Sequence, residues 1–409
     1  GDDAGNGNNV FNSTTTLVNS GSGYLMTANA SPDVFNGPLT VSNSGSNWIF
    51  LAHNVAGNQF NNNIIVNNTG SALGIIFSNN ATGAATFTGG TISTGGSGFT
   101  TGQLRLRRFS QVGATNQNLT LTGSALLWVG PTSSFDGDVN FVAPQLLLNG
   151  ATYNGTAYLE KNGTNNDAGA GGNVFSGVTT ITNSGSGYLM LGSVSADQFL
   201  SNATFNNTGS YRIYFAHNHN GQTTTFSSDL TLNSNKSGGS DPWSFFIAEG
   251  TNAAFSVGGA FNINCDGAIQ SNYRILQGGG TSATFNGPVN INVTNSAPGT
   301  VIQMGESGTS TYNSNITVSN SGGAAGITFN GQTTASSTLN GVITAGPFPS
   351  GGLNLYRFTQ IGALAENLTL TGSSTLRVGP NSSFDGNVNF VSPRLYLNGA
   401  TYNGSASLE

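Results

Sequence analysis

The sequence predicts an all-β protein: a parallel β-solenoid (β-helix) of about fifteen coils, each roughly 18–30 residues long. Three observations carry this. First, an aromatic or leucine anchor recurs at Phe11, Phe35, Phe60, Phe87, Phe135, Tyr153, Phe175, Phe199, Phe226, Phe255, Phe285, Tyr312, Leu339, Phe384 and Tyr402. The steps are mostly 24 to 30 residues, with a step of 18 from Phe135 to Tyr153 and again from Phe384 to Tyr402. Second, apolar residues follow each anchor at its fourth and sixth positions, an even spacing that puts them on one face of a strand. Third, the 409 residues include 60 glycines but only 10 Lys and Arg and 16 Asp and Glu, a poor supply of helix surface. The hydrophobic 36% and aromatic 10% are regularly spaced, which separates the chain from a disordered tract.

Each repeat opens on its anchor strand. Leu39 and Val41 follow Phe35, Ala203 and Phe205 follow Phe199, Val289 and Ile291 follow Phe285, and Val388 and Phe390 follow Phe384, with Asn, Thr and Ser between them facing water. A cluster such as NSGSG or NNTGS then supplies turn residues. A further strand comes next: GYLMTA, WIFLAH, QLRLRRF, ALLWVGP, QLLLNG, GYLMLG, YRIYFAH, WSFFIAE, LNLYRF or RLYLNG. Each repeat thus supplies at least two strands that cannot bury an apolar face alone, and stacking like on like resolves this. A sandwich of hairpins would not keep one aromatic in phase throughout, and a propeller blade is longer than this repeat. Handedness does not follow from the repeat itself; the usual crossover preference favours right-handed winding.

On a longer scale residues 1–160 and 161–409 are two solenoid blocks, the second continuous with the first. LRLRRFSQVGATNQNLTLTG in the first returns as LNLYRFTQIGALAENLTLTG in the second, which carries about three more coils. Both ends of the chain fall in mid-pattern, so the expectation is a segment of a longer array.

Phrases such as NSGSGYLML, GNVFSGVTTITNSGSGYL, FNGPLTVSN and LYLNGATYNG resemble the repeat regions of very large secreted, adhesin-like surface filament proteins of gliding Bacteroidota, cargo of the type IX secretion system. The resemblance covers essentially the whole chain and identifies no functional residue. It implies a fibrous, extracellular, cell-surface role in adhesion or gliding.

A net charge of −6 without basic runs argues against nucleic acid, and no apolar run is long enough for a membrane-spanning helix. The single cysteine, Cys265, is in phase with Phe261 and Ile263 and reads as a buried hydrophobe. Asp136 and Asp138 in FDGDVNF form the tightest acid pair, but the second copy reads FDGNVNF with Asn387, so they read as turn residues. His53 and His217 occupy the same place in LAHN and FAHN, and no acid stands near the pair His217 and His219 in sequence. No catalytic group, metal site or cofactor is expected.

The functional signal is the outward side of the later strand. With Leu104, Leu106, Ile213, Phe215, Leu353, Leu355, Leu376 and Val378 inward, the alternate positions are Tyr24, Trp48, Arg105, Arg107, Trp128, Tyr188, Arg212, Tyr214, Phe246, Arg274, Tyr356, Arg377, Arg394 and Tyr396. Such a stripe suits cross-coil stacking, packing against a neighbouring rod, or stacking on sugar rings. The expected role is a stiff structural segment that makes surface contact. Its partners would be further repeats end to end, like rods alongside, and surface polysaccharide. The alternatives are a glycan-binding module that uses the stripe and, behind it, a polysaccharide-degrading β-helix enzyme, which would need clustered acids on adjacent coils.

Overall fold

The computed structural model describes every residue except 1, 218–220, 237, 268, 295, 296, 298, 324 and 325. The described chain contains strands and turns without helix, and every strand pairing in it is parallel. It forms two compact units, Gly1–Leu189 and Met190–Glu409, each a β-solenoid, with about fifteen turns in all.

A coil has three strands, one more than the repeat pattern required. In one coil of the first unit they are Val34–Phe35, Leu39–Asn43 and Trp48–Leu51, which lie in an anchor sheet, a second sheet and a third sheet. Alternation sets the inward face: Phe35, Leu39, Val41, Ile49 and Leu51 are buried, while Thr40, Ser42, Trp48 and Phe50 remain half-exposed. Phe35 pairs in register with Phe11 and Phe60, Val41 with Val66, and Ile49 with Ile75. The anchor rings stack at 4.6 Å between Phe11 and Phe35, and at 4.9 Å between Phe285 and Tyr312 in the second unit. Burying one such ring is worth about 2 kcal/mol, and the ring contact adds about 1.

Three coils depart from the anchor series. Between Phe87 and Phe135 the register places Gln111, and between Leu339 and Phe384 it places Gln360. There the ring has moved two residues back, to Phe109 and Phe358, and still packs in the column: Phe109 lies 5.6 Å from Phe87 and 6.2 Å from Phe135. The buried Gln111 amide caps the turn, with Oε1 accepting from Asp136 N and Gly137 N and Nε2 donating to Gly113 O. In the third coil Val257, not Phe255, pairs with Phe226 and Phe285. Phe255 is on the same face one pleat earlier, so periodicity alone could not separate the two.

The turns also differ from a purely glycine pattern. The corner after the third strand is left-handed in almost every coil, at Ala28, Ala52, Ser78, Arg108 and Thr132 in the first unit and Ala216, Ala248, Leu276, Asn330 and Arg357 in the second. An L-residue there costs about 1 kcal/mol. The four alanines recover part of it by burying their methyl groups completely or nearly so.

Asparagine closes the corner between the second and third sheets. Asn43 Nδ2 donates to Asn47 O and to Gly74 O one coil on, Asn68 to Ala72 O and Thr101 O, and Asn207 to Tyr211 O and Ser244 O. One inward amide therefore satisfies carbonyls of two coils, which a buried backbone requires. Outer ladders run from Asn61 through Asn36 to Asn12, and from Asn340 through Asn313 to Asn286. Cys265 is buried beside Ser271 O, as its phase predicts.

Candidate functional site

The residues that carry chemistry gather on the outward face of the third sheet, and the two units build it differently. In the first unit the register aligns Phe50, Ile76, Arg105, Trp128 and Leu147 in one column and Trp48, Gly74 and Gln103 in the next. Gly74 is required: a Cβ on it would meet Trp48 at 2.7 Å and the Gln103 backbone closer still. The indole of Trp48 lies over this gap, and the guanidinium carbon of Arg105 sits 5.0 Å from its ring and 4.6 Å from that of Trp128. Arg107 approaches Trp128 at 5.4 Å.

Among the described residues none of these arginines has an ion-pair partner. Arg105 Nε donates to Gln103 Oε1, Arg107 Nη1 to Asn79 O, and Arg108 Nε and Nη2 to Gly83 O and Ser78 O. Burial, together with the neighbouring Arg107 charge, lowers the pKa of Arg105 and of Arg108. Arg107 Nε and Trp128 Nε1 are buried donors without a partner. The surface is cationic and flat, with donors to spare.

In the second unit the charges are compensated. The Arg212 guanidinium forms a two-point bridge with the Asp241 carboxylate, 29 residues on, and Nη1 donates to Tyr214 Oη at 3.1 Å. Arg274 lies 4.1 Å from the Trp243 ring, pairs with Glu306 at 2.8 Å and donates to Gln277. Phe246 lies within 4.6 Å of Arg212 and 5.3 Å of Arg274. His217 Nδ1 approaches Glu249 Oε2 at 3.4 Å, and burial raises the pKa of that carboxyl. Three acids and two arginines thus meet on neighbouring coils, with Asp241 and Glu249 flanking the strand Trp243–Ile247 and Glu306 coming from farther along the chain.

The predicted stripe faces outward, with corrections. Phe246 is 2% exposed and Tyr214 8%, so neither offers a free ring; arginines and neighbouring rings cover them. Arg107 and Tyr356 lie just past their strands, at the corner. Tyr24, Trp48, Trp128, Tyr188, Arg212 and Arg274 are half-exposed, and Arg377, Arg394 and Tyr396 are exposed. Tyr356, Arg377 and Tyr396 line a shallow pocket of about 280 Å³ with Val378, Leu397 and Asn398.

Among the described residues no group of three His, Cys, Asp or Glu is placed to hold a metal, and His219 lies outside them. His53 is buried at its corner, 3.5 Å from Asn80. The absence of an acid near His217 in sequence did not hold in space, since Glu249 reaches it from the next coil. Asp136 and Asp138 cap turns: Asp136 accepts from Gly113 N and Asn154 Nδ2, and Asp138 from Thr156 N. Asn387 makes the same contact to Ser405 N. Only an acceptor is needed there, so amide and carboxylate interchange.

The acids Asp241, Glu249 and Glu306 are what residue-by-residue reading missed. The signal that finds them is the coil period applied to charges, because each arginine meets its acid one coil away. Comparison of the chain with protein-family models, with curated proteins and with solved structures finds no match in any of the three. Among the described residues no helix is long and apolar enough to cross a membrane.

Proposed function

We propose that this chain is a structural segment of an extracellular, fibrous, adhesin-like surface protein, stiffened by its stacked coils and making surface contact through the third-sheet stripe. The observation that carries this reading is in-register stacking with side-chain ladders at the corners, combined with arginines and aromatics on the outward face of the third sheet within each unit. Axial hydrogen bonds resist bending, and flat rings and guanidinium planes bury area while leaving polar edges to bond. The resemblance to secreted Bacteroidota filament repeats supports the extracellular setting. No catalytic step is part of this role: Asp241, Glu249 and Glu306 are engaged by arginine or histidine, and Asp136 and Asp138 hold turns.

The test is adhesion of beads coated with the full chain to cell-surface material. Trp48→Ser and Trp128→Ser together should abolish adhesion while circular dichroism stays unchanged. Undiminished adhesion, or release of sugars from a polysaccharide panel by the parent chain, would overturn the reading.

A second reading, a glycan-binding module, is favoured by the unpaired charge around Arg105 and Arg107 and by the unpartnered donors of Arg107 and Trp128. Carboxylates of a uronic-acid polymer match those donors, and its ring faces match the indoles. Retardation in an affinity gel containing polyuronate but not in neutral glucan, lost with Arg105→Ala and Arg107→Ala, is the expected result. Equal migration in both gels would dismiss it.

A further inference from the structure

We propose that Lys161 and Asn183 are joined by a side-chain amide bond, formed by the chain itself with release of ammonia, which laces two successive coils of the first unit together. The two residues end the strands Ala157–Lys161 and Thr179–Asn183 and pair directly in the parallel register. Both are completely buried. On its other side Lys161 pairs with Ala143, whose small side chain leaves room for the lysine to fold back.

Lys161 occupies the corner column that holds Asn43, Asn68 and Asn207 in other coils, and its ammonium does the work of their amides. Nζ donates to Gly163 O at 2.8 Å and to Gly187 O at 3.2 Å. Asn183 Nδ2 donates to that same Gly187 O at 3.0 Å, so the amine and the carboxamide converge on one oxygen. The other end of the carboxamide is held as well, with Oδ1 accepting from Gly185 N at 3.3 Å. That N–H is placed to bind the oxyanion that attack on Cγ would create.

The surroundings favour a neutral amine. Two uncharged carbonyls are its hydrogen-bond acceptors, no carboxylate stands within ion-pair distance, and burial lowers the pKa of Lys161. Asp167, itself 2% exposed, accepts from Leu146 N and interacts electrostatically with Lys161. Burial lifts its carboxyl to about 6, against the opposing pull of the Leu146 hydrogen bond and the lysine charge.

The step balances without a co-reactant. The Nζ lone pair attacks Cγ of Asn183, the C–Nζ bond forms, and negative charge collects on Oδ1 against Gly185 N–H. One Nζ proton passes to Nδ2, which shares the Gly187 oxygen with it, as the Cγ–Nδ2 bond breaks and ammonia leaves. The other buried lysine provides a contrast. Lys236 donates to Asp241 O and Trp243 O but lies two residues past its strand, whose last residue, Ser234, takes the place between Asn207 and Cys265, so this lysine is not itself in register with an asparagine.

Intact mass of the denatured full-length chain is the test, and its outcome is independent of any adhesion result. The expected mass is that of the sequence less one ammonia. Digestion should yield one branched peptide that contains Lys161 and Asn183. Lys161→Met and Asn183→Ala should each restore the full mass, a readout that does not depend on their folding. A parent chain at full mass would overturn the proposal. So would ammonia loss that persists in Lys161→Met, which would locate the loss in cyclisation at an Asn-Gly pair.

Discussion

Gln117 in the first unit and Glu366 in the second close the same kind of gap. After Ile92–Phe99 and after Ile343–Ala345 the second sheet is interrupted, and the next strands, Gln117–Thr120 and Glu366–Thr369, begin new sheets. At both seams a buried side chain replaces the missing backbone bonds. Gln117 Oε1 accepts from Ile92 N at 2.9 Å, while Nε2 donates to Gly90 O at 3.1 Å and Thr115 O at 2.8 Å. Glu366 Oε2 accepts from Ile343 N at 2.9 Å, but its Oε1 is buried with no partner. The repeated NLTLTG phrases make the two positions equivalent. An amide supplies acceptor and donors at any pH, whereas a carboxyl supplies a donor only when protonated. Burial raises Glu366 to about 7, opposed by the Ile343 hydrogen bond. One seam is thus indifferent to pH and the other depends on it.

The largest expected effect comes from removing the amide. Gln117→Leu leaves the buried Ile92 N without a partner and removes a hydrogen bond each from the half-exposed Gly90 O and the exposed Thr115 O, together about 4 kcal/mol. Guanidinium denaturation should register the loss, and the Ile92 amide should lose its protection from hydrogen exchange. A change below about 1 kcal/mol would show that water closes the seam instead.

The pH response of Glu366 comes next. Its folded pKa of about 7 lies above its ordinary value of 4.5, so between these limits the folded chain holds the proton more tightly than the unfolded one. Stability is therefore undiminished below pH 4.5, falls as pH rises, and levels off above 7, a change on the order of 3 kcal/mol. Glu366→Gln should remove this component from the pH profile of unfolding and raise stability at pH 8. An unaltered profile would mean that the carboxyl is solvated. The smallest effect is that of the transplant. At pH 4 Gln117→Glu should cost about 1 kcal/mol, because the acid offers one donor where the amide offers two. Raising the pH to 8 should then reproduce in the first unit the loss seen in the second.

The repeat was legible because alternation is local. Leu39 and Val41 could be placed inward from their spacing alone, and they are buried in register with Ile64 and Val66. The stripe was legible as a direction for the same reason, and Trp48, Arg105 and Trp128 do converge. Its energetics were not legible. Whether Arg105 meets an indole or Arg212 an acid depends on what the adjacent coil brings, and Phe246 is closed off by Arg212 and Arg274 from either side.

By itself, the sequence determined the all-β class, the coil period, the inward phase of nearly every anchor and the two-block repetition, since each is written in the spacing of residues along one strand. The tertiary structure alone decided the third strand of each coil, the glutamine anchors, the alanines in left-handed corners, the seams, the acids gathered around Arg212 and Arg274, and the pairing of Lys161 with Asn183 in register. All of these depend on axial register. Coils that vary from 18 to 32 residues set which side chains become neighbours, and only the folded backbone aligns them.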